Sequence, residues 1–256
     1  METTILKLGG ALITNKSRPF EVRYDVLKQV AQEIAEAFEK CCPRLVVIHG
    51  GGSFGHYVVK EHGTISKSDT IAQTIWFMRE LNMIIVDVLM SYGLPATAFD
   101  THALAVVRNG KIQMNTEPLA HALDLGLVPV MYGDIVLGKN DAQIVSGDEV
   151  AWYLSKAFTP SRLLFATTID GVYDGDPSNP ASKLIKNVYL SDIQRIGFGE
   201  PQGIDVTGGM KLKLALALEY ASRDIKEVLI FNGLRKGNVY GALCRKSIRC
   251  TRVLLY

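Results

Sequence analysis

Short runs of consecutive apolar residues, rich in Val and Ile, alternate with stretches of helical periodicity along almost the whole chain. A strand that is apolar at every position must be covered on both faces, and helices joining parallel strands supply that cover. Leu45-Val46-Val47-Ile48 and Leu163-Leu164-Phe165-Ala166 are such runs. Residues 3–8, 96–99, 128–132, 228–231 and 251–255 read as further short strands. Between them, Val26, Val30, Ile34 and Phe38 mark one face of a helix over residues 22–38, and residues 69–92 form a longer, unusually apolar helical pattern. Ser146 and Glu149 have capping-box spacing at the head of a helix over 149–158, and Thr207 caps another over 209–222. Asn109-Gly110 turns a hairpin within residues 103–114, and residues 174–180 are a turn-rich loop. The order predicts an α/β fold, a three-layer αβα sandwich around a mainly parallel sheet, with residues 1–256 in one domain.

Composition narrows the function classes. The chain has 256 residues, 48% hydrophobic and 21% charged, with a net charge of +2. A chain of this size buries roughly 70–75% of its unfolded surface, so it needs neither disulfide nor metal to hold a core. The charge surplus is too small and too dispersed for a nucleic-acid binder. The most apolar stretch, Met83 to Met90, is interrupted by Asp87 and is short of the roughly 20 residues a membrane span needs. Lys7 and a glycine pair arrive before any stretch long enough for a signal peptide, so a cytoplasmic, reducing location is expected. Cys41, Cys42, Cys244 and Cys250 contain no Cys-x-x-Cys pair, and no histidine lies at zinc-finger spacing. Cys41-Cys42 at a helix end reads as packing or semi-exposed thiol.

Three glycine-rich turns carry the chemistry. They are Lys7-Leu8-Gly9-Gly10-Ala11, followed by Thr14-Asn15-Lys16; His49-Gly50-Gly51-Gly52-Ser53-Phe54-Gly55-His56; and Asp205-Val206-Thr207-Gly208-Gly209-Met210, with Lys213 in the helix beyond. Consecutive glycines let backbone N–H groups approach an anion without Cβ atoms in the way. Three such turns, two with lysines in reach, suggest a polyphosphate site. A Walker A loop is absent, and the dinucleotide fingerprint is present only loosely at Gly50–Gly55. Gly51-Gly52-Ser53-Phe54-Gly55 matches a nucleophile elbow, but it closes the second strand, leaving too little sheet before it for an α/β-hydrolase.

Together with Ser146-Gly147-Asp148 and Thr168-Ile169-Asp170-Gly171-Val172-Tyr173, the first two turns resemble the amino-acid kinase superfamily. Within it, His-Gly-Gly-Gly-Ser-Phe-Gly-His and Asp-Val-Thr-Gly-Gly-Met are similar to the isopentenyl phosphate kinases, His56 narrowing the resemblance to that group. The resemblance implies transfer of the ATP γ-phosphoryl group to isopentenyl phosphate, in isoprenoid biosynthesis. It implies an N-terminal substrate half of about residues 1–145 and a C-terminal nucleotide half of about 146–256. Lys7 and Lys16 would clamp the β- and γ-phosphates, Lys16 stabilising the transition state. Leu8, Gly9, Gly10, Ala11, Gly52, Asp170, Gly209 and Lys213 would hold the nucleotide. Gly51, Gly147 and His56 would receive the acceptor phosphate, and Asp148 would hold the lysines in place. Ala11 departs from the family's usual serine.

No Asp, Glu or His cluster has metal-ligand spacing, so Mg²⁺ is expected to arrive on the ATP phosphates. His49, His62, His102 and His121 show no pairing pattern and read as structural, and Trp76 reads as core. The apolar surplus of residues 69–92 points to a homodimer, as does the superfamily. Related readings are a fosfomycin-type or other small phosphate or phosphonate kinase, an amino-acid kinase acting on a carboxylate, and a non-catalytic nucleotide-binding protein of the same fold. The last has no need of both Lys7 and Lys16.

Overall fold

A computed structural model describes residues 2–55, 57, 68–159, 161–192 and 209–255. In chain order the first half runs β1 (Thr3–Leu8), α1 (Gly10–Ile13), α2 (Tyr24–Lys40), β2 (Leu45–His49), α3 (Ser68–Ser91), β3 (Ala96–Ala98) and α4 (Thr101–Leu104). It continues through β4 (Ala105–Arg108), β5 (Lys111–Met114), α5 (Glu117–Asp124), β6 (Val128–Tyr132), β7 (Asp134–Leu137) and β8 (Ala142–Val145). The second half has α6 (Gly147–Ala157), β9 (Ser161–Thr167), β10 (Asn187–Tyr189), α7 (Gly209–Tyr220), β11 (Ile225–Asn232), α8 (Asn238–Leu243) and β12 (Cys250–Leu254).

Eight of these strands form one sheet in the order β10-β12-β11-β9-β1-β2-β6-β3. Every pairing in it is parallel except β11 with β12. The continuous apolar runs are explained by burial on both sides. Ile5, Val46, Ile48, Leu163 and Phe165 enter one core with α6 and α7. Their alternating neighbours Leu6, Leu8, Leu45, Val47, Leu164 and Ala166 enter the other with α2, α3 and α8. The result is an α/β sandwich of three layers, mostly parallel, as the alternation predicts.

Register positions the site. Leu8 lies opposite His49 on one side and Ala166 on the other, while His49 lies opposite Tyr132. The chain therefore leaves β1, β2, β6 and β9 at one level, and the turns that follow lie side by side.

Several local expectations hold. Ser146 Oγ accepts from the Glu149 N–H at 3.1 Å, and Asn109 and Gly110 take left-handed φ of 53° and 71° in the β4–β5 turn. Hairpin β7–β8, strand β10 and the short helices α4, α5 and α8 carry too few periodic positions to be read locally. Two readings are corrected. Trp76 is 65% exposed instead of core. Cys41 is no packing thiol: it forms a disulfide with Cys244, joining the ends of α2 and α8 at a Cα separation of 5.5 Å. Thr207 lies outside the described residues.

Candidate active site at the ends of the parallel strands

The first two glycine turns pack backbone against backbone. A Cβ on Gly10 would stand 2.3 Å from the Gly52 nitrogen, and one on Gly50 would stand 2.9 Å from the Gly10 nitrogen. Gly52 has a φ of +49°, and a Cβ there would meet Thr14 Oγ1 at 2.0 Å. Thr14 secures this contact by accepting from the Ser53 N–H at 2.9 Å while donating to the Gly10 carbonyl at 2.8 Å. The start of α6 closes the group: a Cβ on Gly147 would lie 2.6 Å from the His49 carbonyl, and one on Gly133 would lie 2.4 Å from the Gly147 nitrogen. Met78 of α3 packs its sulfur against Gly51 and Gly55. At Gly10, Gly50, Gly133 and Gly147 a neighbouring main chain occupies the volume of a side chain; at Gly51, Gly52 and Gly55 the side chain of Met78 or Thr14 stands nearest.

The charges sit beside these turns. Lys7, on β1, and Lys213, on α7, place their ammonium groups 2.7 and 2.6 Å from Asp148 Oδ1. All three side chains are largely buried, with exposures of 8%, 6% and 14%. Burial by itself would raise the Asp148 carboxyl, but Lys213 and Lys7 together outweigh it and hold the group well below its usual range. Lys213 also stands 4.5 Å over the Phe165 ring, and its carbonyl accepts from the Trp152 indole at 3.0 Å. Asp148 is thus an ionised carboxylate that pairs with two cations. The arrangement carries one more positive charge than negative, in a dry setting, next to backbone amides.

A polar wall adjoins the turns. His49 is fully buried, and desolvation lowers its pKa to about 4, so its imidazole is neutral. Its Nδ1 is 3.2 Å from the Gly50 carbonyl and its Nε2 is 3.2 Å from Asn82 Oδ1, while its ring stacks on Tyr132 at 5.4 Å. A neutral ring has one N–H, so it donates to only one of those oxygens. Tyr132 donates to Asp100 at 2.7 Å, and Arg79 pairs with the other Asp100 oxygen at 3.2 Å. His102, read as unpaired, has a partner: its Nδ1 is 2.7 Å from buried Asp134, whose hydrogen bond raises the imidazole pKa.

The remaining predicted residues divide. Gly9 caps α1 and donates its N–H to Ala166 at 2.9 Å, so it joins β1 to β9. Leu8 is fully buried in the core, and the Ala11 carbonyl lies 3.4 Å from Arg23 Nη1. Lys16 stands exposed on the following loop. Asp170, 4% exposed, has both oxygens engaged: Arg235 Nε at 2.8 Å on one, and Arg235 Nη2 and Arg249 Nε at 2.9 and 2.8 Å on the other. Gly209 begins α7. His56 lies outside the described residues. Ser53 is buried, and among the described residues no base lies within hydrogen-bond reach of its Oγ, as an elbow nucleophile would need.

Sequence reasoning missed Thr14, Gly133, Asn82 and the Arg235–Arg249 pair. Gly133 alone had a signal, as a glycine directly after a strand run. Thr14 stood within the first turn, but its bond to Ser53, like the Asn82 and Arg235–Arg249 contacts, is made through long-range packing.

The chain is similar to known proteins over nearly its full length. The profile of the amino acid kinase family matches residues 2–232. Isopentenyl phosphate kinase of Methanocaldococcus jannaschii is 35% identical, with 94% of each chain covered. That of Methanothermobacter thermautotrophicus is 31% identical over 97% of this chain and 98% of its own. A crystallographic isopentenyl phosphate kinase structure superposes with a TM-score of 0.83 at 29% identity, covering 99% of this chain and all of the other. A substrate complex of the same enzyme type superposes at 0.79 and 25% identity. With its fold, its braced lysines and its interlocked glycine turns, the chain belongs to the amino acid kinase family.

Proposed function

We propose that this chain transfers the γ-phosphoryl group of ATP to isopentenyl phosphate, giving isopentenyl diphosphate and ADP. The observation that carries the reading is the Lys7–Asp148–Lys213 brace beside the interlocked glycine turns, in a chain whose full-length relatives are isopentenyl phosphate kinases. Phosphoryl transfer needs in-line positioning and positive charge around the moving group more than covalent assistance. An oxygen of the acceptor phosphate attacks the γ-phosphorus, the bond to the bridging oxygen breaks, and ADP leaves. The acceptor is already anionic, so no strong base is required. Asp148 keeps two cations apart and aimed; Lys16 closes on the transferring group from its exposed loop; Gly10, Gly51, Gly52 and Gly147 offer backbone donors.

The N-terminal half takes the acceptor and the C-terminal half the nucleotide, the two meeting where β1 pairs with β9. Asp170 serves the nucleotide through the two arginines it holds. His56 bonds the acceptor phosphate, an assignment resting on the sequence motif. Met78 and Ile75 of α3 border the five-carbon chain. Asp148 Oδ1 is committed to two ammonium groups, and no cluster of His, Cys, Asp or Glu among the described residues could hold a metal, so Mg²⁺ would be held by the nucleotide phosphates, where it would spread their charge. The reading includes a cytoplasmic location, where ATP is available as donor. Trp76, Met83 and Met90, exposed at seven-residue spacing along α3, form the seam of a homodimer.

The test is an ADP-release assay over isopentenyl phosphate, dimethylallyl phosphate, fosfomycin, glutamate and uridine monophosphate. Isopentenyl phosphate should show the highest kcat/KM. Faster turnover of glutamate or uridine monophosphate would overturn the substrate assignment. Sedimentation at tens of micromolar should give a dimer, and a monomer would reject the seam.

A further inference from the structure

A second cationic cavity lies away from the catalytic turns. Its volume is about 620 Å³, and its walls include Arg162, Lys226, Arg245, Lys246 and Arg252. Arg162 stands near the start of β9, and the catalytic turns follow that strand's end. At about 3.3 Å per residue, roughly 16 Å of strand separates them. The cavity therefore opens at the opposite end of the strands, beside the end of α8.

Its charges are unbalanced. Glu227 in the wall is shared by Arg162, at 2.6 Å, and Arg252, at 3.1 Å. Arg245 pairs with Glu2. Five cations against two carboxylates leave a surplus of three, and Lys226 has no carboxylate partner among the described residues. Arg162 is 2% exposed and also donates to the Ala242 and Leu243 carbonyls at 2.9 and 3.1 Å, so the cavity floor is rigidly built.

The backbone at the rim is unusual. Helix α8 ends with Lys246 N–H on the Gly241 carbonyl at 2.8 Å and Arg245 N–H on that of Ala242 at 3.4 Å. In this ending the residue after the C-cap is left-handed, and glycine suits it best. Here that residue is Arg245, with a φ of 57°. A long cation thus stands at the mouth of a cationic cavity against the local backbone preference. Leu229 and Ile248 add apolar lining, and the volume falls in the range of small-molecule sites.

We propose that this cavity binds a small phosphate- or diphosphate-bearing molecule at a site separate from the catalytic one. The experiment is calorimetric titration of the full chain with inorganic pyrophosphate, with the catalytic site saturated by a non-hydrolysable ATP analogue and isopentenyl phosphate. One site should persist. In the Lys226→Glu/Lys246→Glu double variant its affinity should fall at least tenfold, as expected for losing two charge-assisted contacts, while kinase activity without pyrophosphate stays unchanged. Arg245→Gly gives a second reading: its Tm should hold or rise, since glycine suits the left-handed position, yet pyrophosphate should bind at least threefold more weakly. A short alkyl diphosphate run in parallel distinguishes the ligand source: tighter binding assigns the site to an organic ester, equal binding to the inorganic anion. Loss of all pyrophosphate binding when the catalytic site is saturated would overturn the proposal. So would a persistent site indifferent to all three substitutions.

Discussion

Lys7 and Lys213 converge on one atom, Oδ1 of Asp148, from opposite ends of the chain. One is delivered by the central strand, the other by a helix of the C-terminal half, and the carboxylate comes from the first turn of α6. The shared carboxylate offsets part of the cost of burying two ammonium groups. The brace therefore links the assembly of the fold to the charge distribution of the site.

Asp148→Asn keeps the shape and removes the charge. Breaking a buried ion pair from one side costs about 3–5 kcal/mol, because uncompensated charge stays behind. At about 2–4 °C per kcal/mol for a chain of this size, Tm should fall by roughly 10 °C in calorimetry, and kcat/KM should fall at least tenfold. An unchanged Tm would show that the brace does not hold the fold.

Gly10→Ala should be far more damaging than Gly93→Ala. A Cβ at Gly10 would overlap the Gly52 main chain, at 2.3 Å from nitrogen and 2.6 Å from Cα, whereas nothing lies within 4 Å of one at Gly93. Gly93→Ala should cost only the left-handed penalty of its φ of +86°, about 1 kcal/mol. Gly10→Ala must separate the two turns, and both activity and stability should drop. Urea unfolding of the two variants in parallel decides the point.

Lys16→Ala isolates chemistry from folding. The side chain is exposed, so its removal should change stability by no more than about 0.5 kcal/mol. If Lys16 meets charge developing on the transferred phosphoryl group, kcat should fall by about 10²–10³. Initial rates at saturating ATP measure this, and a loss of less than threefold would remove Lys16 from the mechanism.

Stability on the acid side should report His49. Its pKa is about 4 in the folded protein and 6.5 ordinarily, because burial disfavours the imidazolium. The unfolded state therefore takes the proton first. The His49 contribution is complete above pH 6.5 and is lost as pH falls towards 4. Between pH 7 and 4.5 the native protein should lose roughly 2 kcal/mol more than His49→Gln, which has no such proton to gain. Denaturant titrations at the two pH values test the difference. The Asp148 carboxyl, held low, adds its own loss only below its ordinary range near pH 3.8.

Much of the architecture was legible in the sequence because its signals are local. Runs such as Leu45–Ile48 report burial on both faces, the Ser146–Glu149 spacing reports a helix start, and Asn109-Gly110 reports a left-handed turn. The glycine turns were each visible as sites where backbone must approach something closely. The sequence could not show what they approach. That Gly10 meets Gly52, that Thr14 bridges them, and that Gly147 meets the His49 carbonyl follow only once β1 lies between β2 and β9. The same holds for the arginines on Asp170, for Cys41 beside Cys244, and for Trp76 outside the core. Periodicity tells which face of an element is buried. The partner of a buried charge or a bare backbone is chosen by strand order and register, which bring together residues that no local pattern connects.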